Sequence, residues 1–243
     1  MNPTYTPANT RAAFQLNWSI ALFGQHPIPK PVNWLQTLIT ATEPDGVRIL
    51  SAEHRSENVI QFFASTRPGV SPSEIIRSVK GRLQYLIRAS VPKAFRRNYH
   101  IQSVGEANSS VLDQYVAGQP QRHYMADDRV NATLQRQQFH DLSIDLSQLR
   151  IGTYGQYLNS LHVCLENADG WNETRETELQ KVRNAVVDAS RKRSWQLSRI
   201  GLLSNHLHVL IGASVTDSPE SVVLALMNEI AQMSDGKPLL KFS

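Results

Sequence analysis

Ser204-Asn205-His206-Leu207-His208-Val209-Leu210-Ile211-Gly212 opens on a polar turn and runs through alternating polar and apolar residues into a short apolar segment. That pattern predicts a β-strand entering a core. Strand side chains alternate between faces, so His206 and His208 point one way and Leu207 the other, into packing. Two imidazoles one pleat apart can share a metal ion; they equally suit the solvent side of a sheet. With 8 histidines in 243 residues, chance alone supplies about 0.26 His-x-His pairs per chain, so the pair gains weight only from its surroundings.

Working outward, the histidine strand follows a strand at Trp195 to Leu203. It precedes a helix opened by Ser218-Pro219-Glu220 and continued through Val222, Val223, Leu226 and Ile230. Upstream lie a strand from Tyr157 to Glu166 and a long helix from Glu173 to Arg193 with apolar positions at Leu179, Val182, Val186 and Val187. The first half has the same order: a strand at Ala13 to Phe23, a helix at Val32 to Thr42, strands at Gly46 to Ala52 and Asn58 to Ser65, then a helix opened by Ser71-Pro72-Ser73-Glu74. An N-cap serine, a proline at the first helical position and a glutamate at the third make that opening specific. The repetition predicts an α+β protein built from an internally duplicated βαββα unit with a period of about 145 residues. The first copy spans 1–123, a polar, glutamine-rich linker 124–149, and the second copy 150–243. Laying Asn205 to Gly212 over Glu57 to Ala64 sets His206 against Asn58 and His208 against Ile60, so the first copy has no histidine pair. The first copy goes on to a fourth strand near Tyr99 to Val104 and a helix from about Ser109 to Gly118, closed by Pro120. The second copy reaches Ser243 where those elements would begin.

Composition narrows the class. At 41% hydrophobic and 19% charged residues, the chain has no low-hydrophobicity, high-charge segment of the disordered kind. Cys164 is the only cysteine, so no intrachain disulfide forms and a reducing, cytoplasmic setting fits. No apolar run is long enough to cross a bilayer, and Met1 to Thr10 lacks a signal-peptide core. Residues 1–123 carry 13 Lys and Arg against 7 Asp and Glu, while residues 124–243 carry 12 against 14. Arg77, Lys80, Arg82, Arg88, Lys93, Arg96 and Arg97 form a run without an acidic residue. Interleaved with Tyr85, Phe95 and Tyr99, that run suits a polyanion or a solvated helix face.

The last helix of the first copy carries Tyr115 and Gln119, four apart and hence on one face. A His-hydrophobic-His strand after a polar turn, a Ser-Pro helix after it, and a helix carrying Tyr-x-x-x-Gln together resemble the HUH single-tyrosine transposases, the insertion-sequence-200-like and REP-associated enzymes. The likeness runs through Asn58 to Gln119 in one copy and Leu158 to Ile230 in the other. It implies two tandem ferredoxin-like domains with antiparallel sheets, packed as a fused pseudo-dimer. It further implies His206, His208 and Gln119 as ligands of a divalent metal, magnesium or manganese, and Tyr115 as the nucleophile. The DNA-binding residues would be Arg77, Lys80, Arg82, Arg96 and Arg97. The substrate it implies is single-stranded DNA with a hairpin, cut and rejoined through a 5′-phosphotyrosine at one composite site within a single chain.

The chemistry is consistent with those residue types. A phenol of pKa about 10 attacks a phosphodiester poorly at neutral pH unless a cation or base assists. Two imidazoles and an amide oxygen accept magnesium, manganese or zinc. The alternative is a domesticated DNA-binding protein of the same fold that cuts nothing, since loss of half the duplicated machinery is also what an inactive remnant would display.

Overall fold

Alternation along β1 (Asn17–Gly24) sends Trp18, Ile20 and Leu22 into a core and turns Ser19 and Ala21 to the opposite face. The computed structural model describes residues 3–10, 13–105, 107–167, 170–233 and 240–242, so Ser243 lies outside the described residues. In it β1 pairs with β3 (Val59–Thr66) and β4 (Phe95–Val104), and β3 pairs with β2 (Val47–Ser56), all antiparallel. Helices α1 (Leu35–Thr42) and α2 (Pro72–Ile87) cover one face, where Leu38, Ile75, Val79 and Leu83 meet the inward strand residues. The order β2-β3-β1-β4, with helices on one side, is ferredoxin-like.

The second half repeats this layout. Strands β8 (Ser160–Asn167), β9 (Gln196–Leu202), β10 (His206–Gly212) and β11 (Leu240–Phe242) take the order β11-β8-β10-β9. Helices α6 (Glu176–Lys192) and α7 (Pro219–Met233) close its core with Leu179, Val186, Val222 and Leu226. The chain is therefore α+β with two tandem ferredoxin-like sheets. Leu240–Phe242 paired to β8 gives the second half the fourth strand that the sequence left out, so each unit is βαββαβ.

The two Ser-Pro helix openings also join the halves. Ser71 Oγ accepts from Glu74 N, and Glu74 Oε2 accepts from Ser71 N, a reciprocal capping box. Ser218 Oγ accepts from Ser221 N in the same way, without a returning carboxylate. The amides next to the two prolines then cross over: Ser73 N donates to Val215 O at 2.9 Å, and Glu220 N donates to Pro68 O at 2.9 Å. Each donor lies five residues after its counterpart's acceptor position, so the contact is self-complementary, as at a two-fold interface.

Three local expectations change. The strand expected from Tyr157 to Glu166 is broken at Asn159. Before it, β7 (Gly155–Leu158) pairs in parallel with β4 of the first sheet; after it, β8 belongs to the second. Buried Asn159 holds the crossing by donating to Ser214 O and Asp217 O and accepting from Ala213 N. The polar joint is also structured. It holds α5 (Asp128–Arg136), capped by Asp127, and β5 (Phe139–His140), which pairs with β9, while β6 (Arg150–Ile151) edges the first sheet. Finally, Pro120 does not close the tyrosine helix. The chain passes from α3 (Ser109–Ala117) through Gly118 into α4 (Gln119–Arg122), with Pro120 in the first turn of α4, where its missing N–H costs nothing.

Candidate active site

The Ser204-Asn205 turn joins β9 to β10, and parity puts Leu207, Val209 and Ile211 in the second core. His206, His208 and Leu210 consequently face away from α6 and α7. The same reasoning applies to β8: Leu161, Val163 and Leu165 face the core, so His162 shares the outer face. His162 and His208 lie 5.1 Å apart between ring centroids, and His162 Nε2 and His208 Nδ1 are hydrogen-bonded at 3.0 Å. His206 follows at 5.0 Å from His208, and His123 at 5.1 Å from His206. Four imidazoles therefore form a row, two of them foreseen; His162 was legible from strand alternation and His123 was hidden behind Pro120.

The tyrosine helix α3 leaves the first sheet after β4 and lies across this outer face of the second. Two features seat it. Arg199 grips Asp113 with Nε–Oδ1 at 2.6 Å and a second bond at 2.9 Å, and also meets His140 Nδ1. Val116 is fully buried against Gly201, where an added Cβ would stand 2.6 Å from Val116 Cγ1. Leu112, Val116, Leu146 and Leu210 form the small apolar cluster beneath. So seated, the Tyr115 ring lies edge-on to His208 at 5.6 Å and to His162 at 6.0 Å. It remains 37% exposed, open to a substrate.

Gln119 is buried, and its Nε2 donates to Tyr115 O at 3.2 Å, so the four-residue spacing survives the Gly118-Gln119-Pro120 turn. The amide nitrogen is committed, leaving the oxygen as the end that can meet a ligand. One turn on, Arg122 lies with its guanidinium carbon 5.4 Å from the centre of the Tyr115 ring.

The electrostatics disfavour the protonated form of His162, His206 and His208. Burial is the chief cause that pushes His208 down to about 3, with His162, His206 and His123 adding to it. Burial lowers His206 as well, helped by His123 and opposed by Glu166, and burial alone lowers His162. Neutral rings carry a lone pair, the form that binds metals. His206 Nδ1 meets Asn205 Oδ1 at 2.7 Å, which assigns the proton to Nδ1 and frees Nε2. His208 Nε2 is buried with no hydrogen-bond partner, an uncommon condition that a bound ligand would relieve. Among the described residues, no three His, Cys, Asp or Glu side chains are disposed around one metal. A metal site here therefore needs a third donor of another residue type.

The structure also shifts the residue correspondence between the halves. Ile60, Phe62 and Ala64 are the core residues of β3, matching Leu207, Val209 and Ile211. His206 and His208 thus correspond to Val59 and Gln61, not to Asn58 and Ile60; a one-residue slip reverses the face. The first sheet still lacks a histidine pair.

The basic run divides. Arg82 makes two bonds of 2.7 Å to Asp45, and Lys80 donates to the carbonyls of Arg96 and Arg97. Arg77, Arg96 and Arg97 are exposed. The two on β4 lie near its start, about 23–26 Å along the strand from Val104 at 3.3 Å per residue. No helix among the described residues is long and apolar enough to cross a membrane.

Residues 33–119 match the family described as "Transposase IS200 like", a segment that ends on Gln119 and includes Tyr115 but not the histidine strand. Among solved structures, a candidate transposase from Deinococcus radiodurans aligns at 13% identity over 44% of this chain and 92% of its own, with a TM-score of 0.34. The ligand-free regulatory subunit of aspartate kinase from Thermus thermophilus aligns at 8% identity over 90% and 93%, TM-score 0.21. An unknown protein from Galdieria sulphuraria aligns at 5% identity over 94% and 98%, TM-score 0.23. No curated protein matches the sequence.

Proposed function

We propose, for a chain whose residues 33–119 match the family described as "Transposase IS200 like", that it cuts and rejoins single-stranded DNA at one composite site made from its two halves. The observation that carries this is the 5.6 Å approach of the Tyr115 ring, on a first-half helix, to the His208 ring, on a second-half strand. His206 Nε2, His208 Nε2 and the Gln119 oxygen would hold a divalent ion, magnesium or manganese, which when bound polarises the scissile phosphate and offsets the charge that develops on its oxygens.

In the reaction Tyr115 Oη attacks the phosphorus in line, forming the Tyr–O–P bond as the P–O3′ bond breaks. The phenolic proton leaves to solvent and the departing 3′-oxygen takes one up, giving a 5′-phosphotyrosine and a free 3′-hydroxyl. A 3′-hydroxyl of another strand reverses these steps and regenerates the phenol. Arg122 beside the ring offers a fixed positive charge to the same phosphate. The exposed Arg77, Arg96 and Arg97 suit backbone contacts farther along the strand, with Lys80 and Arg82 ordering that surface. The two matching half-units with reciprocal contacts support an internal duplication into a single-chain pseudo-dimer.

Incubation with a labelled hairpin oligonucleotide and Mn²⁺ should yield a covalent protein–DNA adduct on a denaturing gel, absent from Tyr115→Phe. DNA binding without any adduct in the unaltered protein would instead establish the domesticated, non-cutting reading, which Val59 and Gln61 in the first sheet's histidine places favour.

A further inference from the structure

Three features of the second sheet's outer face meet at His162. Its Nε2 is 3.0 Å from His208 Nδ1, its ring is edge-on to Tyr115 at 6.0 Å, and the far nitrogen of the ring it touches is buried and unpartnered. We propose that His162 is a positioning residue: it accepts the Nδ1 proton of His208, fixing that ring's tautomer so that Nε2 offers its lone pair to an ion that His206 and Gln119 would share with it. This rests on the reading of those three residues as a metal centre.

Tautomer and rotation are coupled in an imidazole. A proton on Nδ1 leaves Nε2 bare, whereas a proton on Nε2 would bury an N–H with nothing to receive it, a costly arrangement. A partner at Nδ1 therefore selects the ligand form before any ion arrives, and such outer partners hold ligand rings in register. Asn205 does the same for His206 at 2.7 Å. The two rings are thus each held through Nδ1, His208 by a residue of the adjacent strand and His206 by the turn that precedes it.

The first sheet supplies an internal control. By strand register His162 corresponds to Ser19 and His208 to Gln61, and Gln61 Nε2 donates to Ser19 Oγ at 2.8 Å. The fold thus supports a polar bond across these two strands in both halves. What is particular to the second half is that the bonded group has another nitrogen on its far side, and that this nitrogen is left over.

Two measurements test the role. In metal-free protein, the ¹⁵N imidazole spectrum of His208 should show a protonated Nδ1 and a bare Nε2; a protonated Nε2 overturns the proposal without any variant. Calorimetric titration with Mn²⁺ alone should then show the dissociation constant rising about 10- to 100-fold in His162→Leu. In His162→Gln, which can still accept at that place, it should stay within a few-fold of the unaltered protein. A His162→Leu protein of unchanged melting temperature that binds Mn²⁺ normally overturns the positioning role alone. An unaltered protein that binds no Mn²⁺ overturns the metal-centre reading and this inference with it.

Discussion

The two sheets share a strand order but differ on the face turned away from their helix pairs. On the second sheet that face carries His162, Arg199, Gly201, His208 and Leu210, and α3 lies on it. Register puts Ser19, Ser51, Glu53, Gln61 and Phe63 in the equivalent places of the first sheet. Glu53 stands where Gly201 admits Val116, and Ser51 where Arg199 holds Asp113. The first sheet thus lacks both the imidazoles and the means of receiving a helix. Histidines and helix seat occur together on one sheet and are absent together from the other, the pattern expected of groups that serve one purpose.

Experiments can press on that contrast, beginning where the effect should be largest. His206→Ala or His208→Ala should lower the rate of strand cleavage by about 10²–10³-fold, measured as adduct formation, whereas Gln61→Ala in the first sheet should leave it unchanged. Equal losses from both sheets would erase the distinction. Gly201→Ala drives a Cβ into Val116 and should destabilise the protein by about 1–3 kcal/mol with loss of adduct; Glu53→Ala at the matching place should cost no more than about 0.5 kcal/mol in urea denaturation.

The buried imidazoles give the second sheet a pH response that Gln61 cannot. His208 has a folded pKa pushed down to about 3 from an ordinary 6.5, so in acid the unfolded chain binds the proton more readily. The stability contributed by the neutral ring is complete above about pH 6.5 and is lost as pH falls toward 3. Melting temperature in chelator should therefore drop between pH 6.5 and 4, less steeply in His208→Gln. The smallest effect concerns the basic surface. Arg77→Ala should weaken DNA binding and reduce the salt slope by about 1, while Arg82→Ala, which removes a partner of Asp45, should change stability more than slope. The reverse pattern would move the DNA path.

Much of this was legible in the sequence because it rests on alternation and punctuation. The Ser-Pro openings and the strand containing His206 and His208 pointed to two sheets of like order, and Tyr115 was read on the helix that the fold sets against that strand. What escaped depended on contacts between distant residues. Asp45 is 37 positions from Arg82, so the run from Arg77 to Arg97 looked free throughout. Pro120 looked like a stop because its ring bars an internal helical position, yet it fits a first turn, and the helix face continues to His123. The parity between halves slipped by one because an overlay of Asn205 to Gly212 on Glu57 to Ala64 takes no account of burial, and burial of Ile60 fixes which side it faces.

The clasp between Asp113 and Arg199 has a consequence for how many ends one molecule can handle. On the proposed reading, Tyr115, seated on α3 beside the histidine row among the described residues, is one covalent berth, and an occupied berth must be cleared before the next cut. Excision of a segment with two ends would then require either two molecules at once or one molecule visiting them in turn, so the count of protein per excised segment tests how that clasp is used.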